Sequence, residues 1–408
     1  MNIIEIITKK KEKKELTREE LEFAFNGYLK GNVKDYQMSS LLMAICLNGM
    51  SDGETFNLVD IFIKSGDVLD LSSISGVKVD KHSTGGIGDK ITLIIGPIVA
   101  SCGVIVPKMS GRGLGYTGGT IDKLESINGF KVTLSEEEFI KQVKDIGFAV
   151  TGQTSNLCPL DKVIYALRDV TGTTDSIPLI ASSIMSKKIA GGADKIFIDI
   201  KCGNGAMMKN VESALKLKDI MEQIGKFYNR ETICEISDMN IPLGSNIGNS
   251  LEVIEAMDVL KGKTGKLRDL SIKISTEMVK AAKNISEKEA ENEVLNVLDN
   301  GIAYQKFLEF VKYQGGDINS LEVSKHIQEI KSDRDGKVQT INALNIGKLS
   351  CNLGAGRESK EDAIDYSVGI ILNKLVGEKV SVGDTLFTLY KKDNKDINLN
   401  IDDFYKIN

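Results

Sequence analysis

The chain has no CxxC pair and no cluster of cysteine with histidine. Its six cysteines (Cys46, Cys102, Cys158, Cys202, Cys234, Cys351) are scattered over 408 residues, and it has only two histidines. A disulfide framework or a structural zinc site is therefore not expected, and a reducing, cytoplasmic setting fits best. Basic charge is not in excess either, since 52 Lys and Arg face 57 Asp and Glu. A net charge of −5 advertises no nucleic-acid surface, so an anionic ligand needs its positive charge supplied locally. The first residues, MNIIEIITKKKEKKELTREE, lack the basic start, apolar stretch and small-residue cleavage site of a signal peptide. The uncharged run ITLIIGPIVASCGVIVP (91–107) is interrupted by Gly96-Pro97, whereas a membrane span needs about 20 apolar residues. A buried helix followed by a buried strand is the expectation there, with no membrane partner. No internal repeat or low-complexity tract is found.

What is present divides into regions. The first 65 residues have helical patterning, with two capping boxes, Thr17-Arg-Glu-Glu20 and Ser51-Asp-Gly-Glu54, each followed by apolar residues at helical spacing. DYQMSSLLMAICLNG (35–49) is apolar on more than one side, which places it at the centre of a helical lobe. From about residue 77, short β-branched runs alternate with glycine-bearing loops and helical segments: VKVDKHST, GVIVPKMSG, GFAVTGQ, KIFIDIKCG and ICEISDMN. This alternation predicts an α/β lobe with a mixed, mostly parallel sheet, ligands binding beyond the strand ends. Residues 160–192 return to helix. The tail, with turns at Gly377 and Gly383, predicts a β-rich α+β domain. The expected division is a small all-helical lobe (1–65 with 163–193), a large α/β lobe (70–162 with 194–335) and a C-terminal domain (340–408).

Three stretches carry candidate chemistry. In KHSTGGIGDKITL, Gly85, Gly86 and Gly88 let the backbone turn tightly and present N–H groups, and a following helix would add the positive end of its dipole. Lys81, Ser83 and Thr92 would add a charge and two hydroxyls. The lysine precedes the glycines, so this is not a triphosphate-binding P-loop, and a single phosphate is the more natural ligand. Read alone, the stretch is either such a cradle or an ordinary glycine-rich turn. KMSGRGLGYTGGTIDKLES (108–126) repeats the design with Lys108, Ser110, Gly111, Gly113, Gly115, Gly118, Gly119 and Thr120. Residues 81–125 carry net +2 in an acidic chain, and two such loops after successive strands can face one anion from two sides. In YALRDVTGTTDSIPLIASSIMSKKIAGG (165–192), Arg168 and Lys187 stand among apolar residues, with Ser183 and Lys187 on one helix face. The plainer alternative is Arg168 paired with Asp169 or Asp175 and Lys187 in solvent.

KHSTGGIGDK, SGRGLGYTGGTIDKLES and IPLIASSIMSKKIA resemble the pyrimidine-nucleoside and thymidine phosphorylase family, over nearly the whole chain. The resemblance implies phosphorolysis of uridine, thymidine or deoxyuridine to free base and pentose 1-phosphate, in nucleoside salvage. It implies a cytoplasmic homodimer without organic cofactor, whose lobes close on nucleoside and inorganic phosphate. The phosphate residues would be Lys81, His82, Ser83, Thr92, Lys108, Met109, Ser110 and Thr120. The base would be held by Arg168, Ser183 and Lys187, beside Tyr165 and the apolar Ile177, Ile180 and Ile184, with Lys108 near the ribose. His82, Arg168 and Lys187 would be catalytic, His82 either donating to the departing base or only shaping the pocket.

Two departures stand out. Tyr116 occupies a position where the family commonly has His, and a phenol supplies no cation at neutral pH. The family's bacterial members also imply a monovalent cation, K+, held by positions matching Gly88, Lys90, Leu243, Asn246 and Glu255. Here position 90 is Lys: either its carbonyl ligates, or its ammonium replaces the ion. The alternatives to a broad pyrimidine-nucleoside phosphorylase are a thymidine-selective one, an anthranilate-type phosphoribosyltransferase, and a non-catalytic phosphate- or nucleoside-binding protein. Phosphoribosyl transfer would require a metal–pyrophosphate site, and no acidic metal cluster stands beside these loops.

Overall fold

The computed structural model describes residues 1–113, 116, 118–152, 156–357 and 362–408. Gly115 of the second glycine-rich stretch lies outside the described residues. In chain order the elements are α1 (Ile3–Lys11), α2 (Arg18–Leu29), α3 (Asp35–Asn48), α4 (Asp52–Lys64), β1 (Val79–Ser83), α5 (Ile91–Ser101), β2 (Val106–Ser110), α6 (Thr120–Glu125), α7 (Glu136–Ile146) and β3 (Phe148–Gly152). There follow α8 (Pro159–Asp169), α9 (Ile177–Ala190), β4 (Lys195–Cys202), α10 (Val211–Phe227), β5 (Glu231–Asp238), β6 (Asn246–Ile247), α11 (Asn249–Leu260), α12 (Lys266–Lys283), α13 (Glu287–Asp299) and α14 (Ile302–Tyr313). The tail holds β7 (His326–Lys331), β8 (Gly336–Ile341), α15 (Ala343–Ser350), β9 (Gly369–Leu372), β10 (Lys379–Val380), β11 (Thr385–Lys391) and β12 (Tyr405–Ile407).

The chain forms two compact units, one of Met1–Ser73, Gln153–Ile196 and Asn210–Glu235, the other of Ile74–Gly152, Phe197–Lys209 and Ile236–Asn408. Helix α10 groups with the first unit, and the residues from 340 onward group with the second.

The first unit is a helical bundle. Thr17 and Ser51 both close reciprocal capping boxes with Glu20 and Glu54, which fixes where α2 and α4 begin. Inward residues of α2, α3, α4 and α8, among them Phe25, Leu42, Phe62 and Leu160, form one apolar core, with Phe25 and Phe62 edge to face at 5.9 Å. Helix α3 is not fully enclosed as its composition suggests. Met38, Leu41, Leu42 and Ile45 are buried, but Tyr36 and Leu47 are 72% and 76% exposed. The core meets one face of this helix only.

In the second unit, α5 explains the uncharged run: every residue from Ile91 to Ala100 is buried. Gly96 is required by packing, because a Cβ there would stand 2.3 Å from the Phe148 ring. All five β-branched runs are strands; β1, β2 and β3 fall wholly in this unit, whereas the division passes through β4 and β5. They pair in the order β1-β4-β5 and β2-β3, the latter parallel from Val106 against Phe148 to Ser110 against Gly152. A parallel bridge from Lys78 to Ile105 joins the two sets, so β1 and β2 end side by side. The tail forms two antiparallel sheets, β6-β9-β11-β7 and β10-β8-β12. Among the described residues no helix is long and apolar enough to cross a membrane.

Candidate active site

Lys81, His82 and Ser83 close β1, and Lys108, Met109 and Ser110 close β2, each strand running into a glycine-rich loop. Thr92 lies in the first turn of α5 and Thr120 begins α6. The two loops thus emerge together at the carboxyl ends of neighbouring parallel strands, where open α/β sheets take ligands. Gly85 and Gly88 have φ of +90° and +73°, a conformation that strains any residue with a Cβ. The first loop is tied to β4, since Thr84 N–H donates to the Asp199 carbonyl (3.1 Å) and Lys201 N–H to Thr84 Oγ1 (2.9 Å).

Charge is concentrated beneath these loops. Lys81 is 1% exposed, with Nζ 3.5 Å from Asp199. That ion pair stands at the limit of hydrogen-bond distance, so the ammonium is only weakly held among the described residues. Burial lowers its pKa, although Asp89 and Asp199 oppose the shift. Lys201 is paired with Asp199 at 2.6 Å and donates to Ser237 (3.0 Å), whose hydroxyl donates back to Asp199 at 2.5 Å. Burial works against the Lys201 charge, but Asp89 and Asp199 outweigh it and raise its pKa. For Asp89 burial again opposes the charge, yet Lys201, Lys81 and the Ser83 hydroxyl hold its carboxyl far below the carboxylate range. Ser83 donates to Asp89 and accepts from Gly85 N–H. Lys108 Nζ donates to the Lys81 carbonyl at 2.5 Å and lies 3.9 Å from Asp80, so it braces the end of β1.

The second loop is held through Asp122. Its carboxylate accepts from Gly113 N–H (2.6 Å), Gly119 N–H (3.3 Å) and Arg357 Nη1 (2.7 Å). Arg112 pairs with Glu125, and Lys123 donates to the Gly118 carbonyl at 2.8 Å. The acids of this stretch are thereby engaged with the loop itself. Tyr116 is 37% exposed.

The base-side residues stand on two helices of the first unit. Asp161, Tyr165 and Arg168 recur at i, i+4 and i+7 along α8, and α9 carries Ile177, Ile180, Ser183, Ile184 and Lys187. Lys187 Nζ donates to Asp161 (2.6 Å) and to Ser183 Oγ (2.8 Å). The Tyr165 ring lies 5.8 Å from both the Lys187 ammonium and the Arg168 guanidinium, within cation–π range. Arg168 is fully buried and its guanidinium donates to the carbonyls of Thr173 (3.0 Å), Thr174 (2.9 Å) and Leu179 (3.2 Å) rather than to a carboxylate. Asp175 instead takes the Cys46 thiol at 3.5 Å. Burial pulls the Arg168 pKa down, yet a guanidinium keeps its charge in proteins. Three of its five N–H groups are used, which leaves two. Ile180 and Ile184 are buried beside Ser183, and Ile177 is half-buried.

Sequence reasoning missed Asp161, Asp89, Asp199 and Lys201. Signals existed: Asp161 shares a helical face with Tyr165 and Arg168, and Asp199 and Lys201 are charges alternating with isoleucines in a buried strand.

The expected cation residues are also brought together, but around an ammonium. Lys90 is 0% exposed and its Nζ donates to Leu243 O, Asn246 O and Glu255 Oε2, each at 2.7 Å. Gly88 adjoins it, with its missing Cβ position 3.4 Å from Nζ. A lysine nitrogen has three donors and no lone pair while charged, so these residues do not fit a metal ion as well.

Comparison with known proteins agrees with this architecture. Residues 4–66 match the glycosyl transferase family helical bundle domain, 75–304 the glycosyl transferase family α/β domain, and 337–407 the pyrimidine nucleoside phosphorylase C-terminal domain. The protein is thus a pentosyltransferase of the glycosyl transferase class. The chain is 50% identical over 414 residues to a pyrimidine-nucleoside phosphorylase of Staphylococcus haemolyticus, covering 100% of this chain and 94% of that one. It is 51% identical to that of Staphylococcus epidermidis, covering 96% and 92%. It belongs to the pyrimidine-nucleoside phosphorylase family. The crystal structure of anthranilate phosphoribosyltransferase from Thermus thermophilus shares the fold, with a TM-score of 0.59 at 17% identity, covering 76% of this chain and 99% of that one.

Proposed function

We propose that this enzyme catalyses reversible phosphorolysis of the pyrimidine nucleosides uridine, thymidine and deoxyuridine, as a cytoplasmic homodimer in nucleoside salvage. The observation that carries the reading is the buried Lys81 ammonium, whose contact among the described residues is a long 3.5 Å ion pair with Asp199 and which is flanked by hydroxyls and glycine N–H groups at the ends of β1 and β2. A buried donor of this kind is expensive unless a ligand completes it, and an inorganic oxyanion does so. Phosphate needs positioning rather than activation, because it is already anionic.

In the reaction the C1′–N1 bond breaks as a phosphate oxygen bonds to C1′. The electron pair of the broken bond goes to the pyrimidine, and positive charge grows on the sugar. Arg168, through its two remaining N–H groups, and Lys187 stabilise the negative charge developing on the pyrimidine oxygens. Asp161 and Ser183 fix the direction of the Lys187 ammonium. His82 either donates to the leaving base or shapes the pocket. The half-buried Ile177 and the aromatic face of Tyr165 suit a flat heterocycle. Asp89, Asp122 and Glu125 are committed to Ser83, to loop N–H groups and to arginines, which favours phosphorolysis over a metal–pyrophosphate chemistry.

The test is release of free base from uridine, thymidine and deoxyuridine, with and without phosphate. Base should appear only with phosphate, alongside an equal amount of pentose 1-phosphate. Release that ignores phosphate, or none from any of the three nucleosides, overturns the reading. Turnover of thymidine and deoxyuridine alone would move the assignment to the thymidine-selective alternative.

A further inference from the structure

We propose that the Lys90 ammonium is this protein's own internal cation, organising the first glycine-rich loop in place of a monovalent metal ion. The family resemblance implies such an ion at Gly88, Lys90, Leu243, Asn246 and Glu255, and the residues present disagree with it. Three oxygens at 2.7 Å saturate the three N–H donors of Nζ, in a place with no solvent contact. A metal ion among the same oxygens would touch a like charge. Ligation through the Lys90 carbonyl, which already accepts one bond from Leu93 N–H at 2.9 Å as α5 begins, would leave the ammonium among the same oxygens and so would not remove the like charge.

The negative partner is equally committed. Glu255 accepts from Lys90 and also from Ser245 N–H (2.8 Å), Ser245 Oγ (2.7 Å) and Asn246 N–H (2.9 Å). Each bond ties the 243–246 segment to α11, and Lys90 adds the glycine-rich loop. Leu243 N–H donates to the Ile87 carbonyl at 2.9 Å, and a Cβ at Gly88 would stand 2.7 Å from the Leu243 oxygen. The backbones pack at a separation that only glycine allows, with the ammonium beside them. Asp89, which takes the Ser83 hydroxyl, is the residue immediately before Lys90. Lys90 is therefore a positioning residue for the phosphate loop.

Without the ammonium, two carbonyls and a carboxylate would converge on an empty, buried, negative site of a size suited to K+ or NH4+. Dependence on an added monovalent cation should then appear. The experiment compares melting temperatures of the full chain and of Lys90→Ala and Lys90→Thr in choline chloride, KCl, NaCl and NH4Cl at one ionic strength. Wild type should melt within about 1 °C in all four. The variants should lose roughly 5 °C or more in choline and regain most of it in K+ or NH4+, with activity following. A wild-type melting temperature that falls when choline replaces K+ overturns the proposal, as does a variant unaffected in choline. Should the variants not fold, wild-type crystals soaked in Rb+ decide. Anomalous density among the Leu243, Asn246 and Glu255 oxygens refutes the internal cation, and its absence there supports it. Melting and diffraction need no nucleoside, so this outcome is separate from that of the substrate assignment.

Discussion

Lys187 and Asp161 lie 26 residues apart in sequence and 2.6 Å apart in the structure. One carboxylate on α8 thereby sets the direction of an ammonium on α9, with Ser183 completing the hold. A lysine that would otherwise spread over many rotamers is kept in one. Lys187→Ala should lower kcat by about 10²–10³. Asp161→Asn should lower it by about 10- to 100-fold, because the charge survives but its aim is lost. Steady-state kinetics should show the phosphate KM little changed in both. An unaltered kcat in Asp161→Asn would remove the positioning role.

Lys108 donates to the Lys81 carbonyl and lies near Asp80. Lys108→Met leaves both of these groups short of a buried cation, a loss of about 3 kcal/mol by analogy with other broken buried pairs. Urea denaturation should register that loss, and the phosphate KM should rise about tenfold as β1 loosens. The uridine-to-thymidine ratio should hold. A changed ratio with an unchanged phosphate KM would return Lys108 to the sugar.

Burial lowers the pKa of Lys81, so it loses its proton below the ordinary lysine value of about 10.4. The sign for stability follows: between the folded and unfolded pKa the unfolded chain binds more protons, so raising pH through that window stabilises the fold. Phosphate binding has the opposite dependence, because it requires the charged form. The phosphate KM should climb at alkaline pH before an ordinary lysine would titrate, while the melting temperature does not fall for this reason. A flat phosphate KM to pH 10 would show that Lys81 is not the charge that phosphate meets.

Gly96 lies inside α5, where alanine ordinarily stabilises a helix by about 1 kcal/mol. Here the added methyl would stand 2.3 Å from the Phe148 ring, and overpacking of this sort costs about 1–3 kcal/mol. Packing should win. Gly96→Ala should melt lower than the parent, and a higher melting temperature would mean that the helix and β3 can part without cost.

The local signals were legible because they are local. Capping boxes at Thr17 and Ser51, five β-branched runs and an uncharged stretch at 91–107 each state their own secondary structure through spacing alone. The glycine-rich loops and the Arg168–Lys187 segment identified the family for the same reason: their chemistry is written in contiguous residues. Helix α3 shows the limit of composition, since the exposed Leu47 is as apolar as the buried Leu41 and Leu42, and only neighbouring helices decide which face is buried.

What the sequence determined, then, was which residues would carry charge, hydroxyls and tight turns, and in which elements. The tertiary structure decided what each charge is joined to. Lys90 finds acceptors more than 150 residues downstream, two of them backbone carbonyls. Arg168 donates to three carbonyls, and Lys108 donates to that of Lys81. A carbonyl is the same group at every residue, so no spacing or composition can announce that it will be an acceptor. Only the folded path of the chain brings it there.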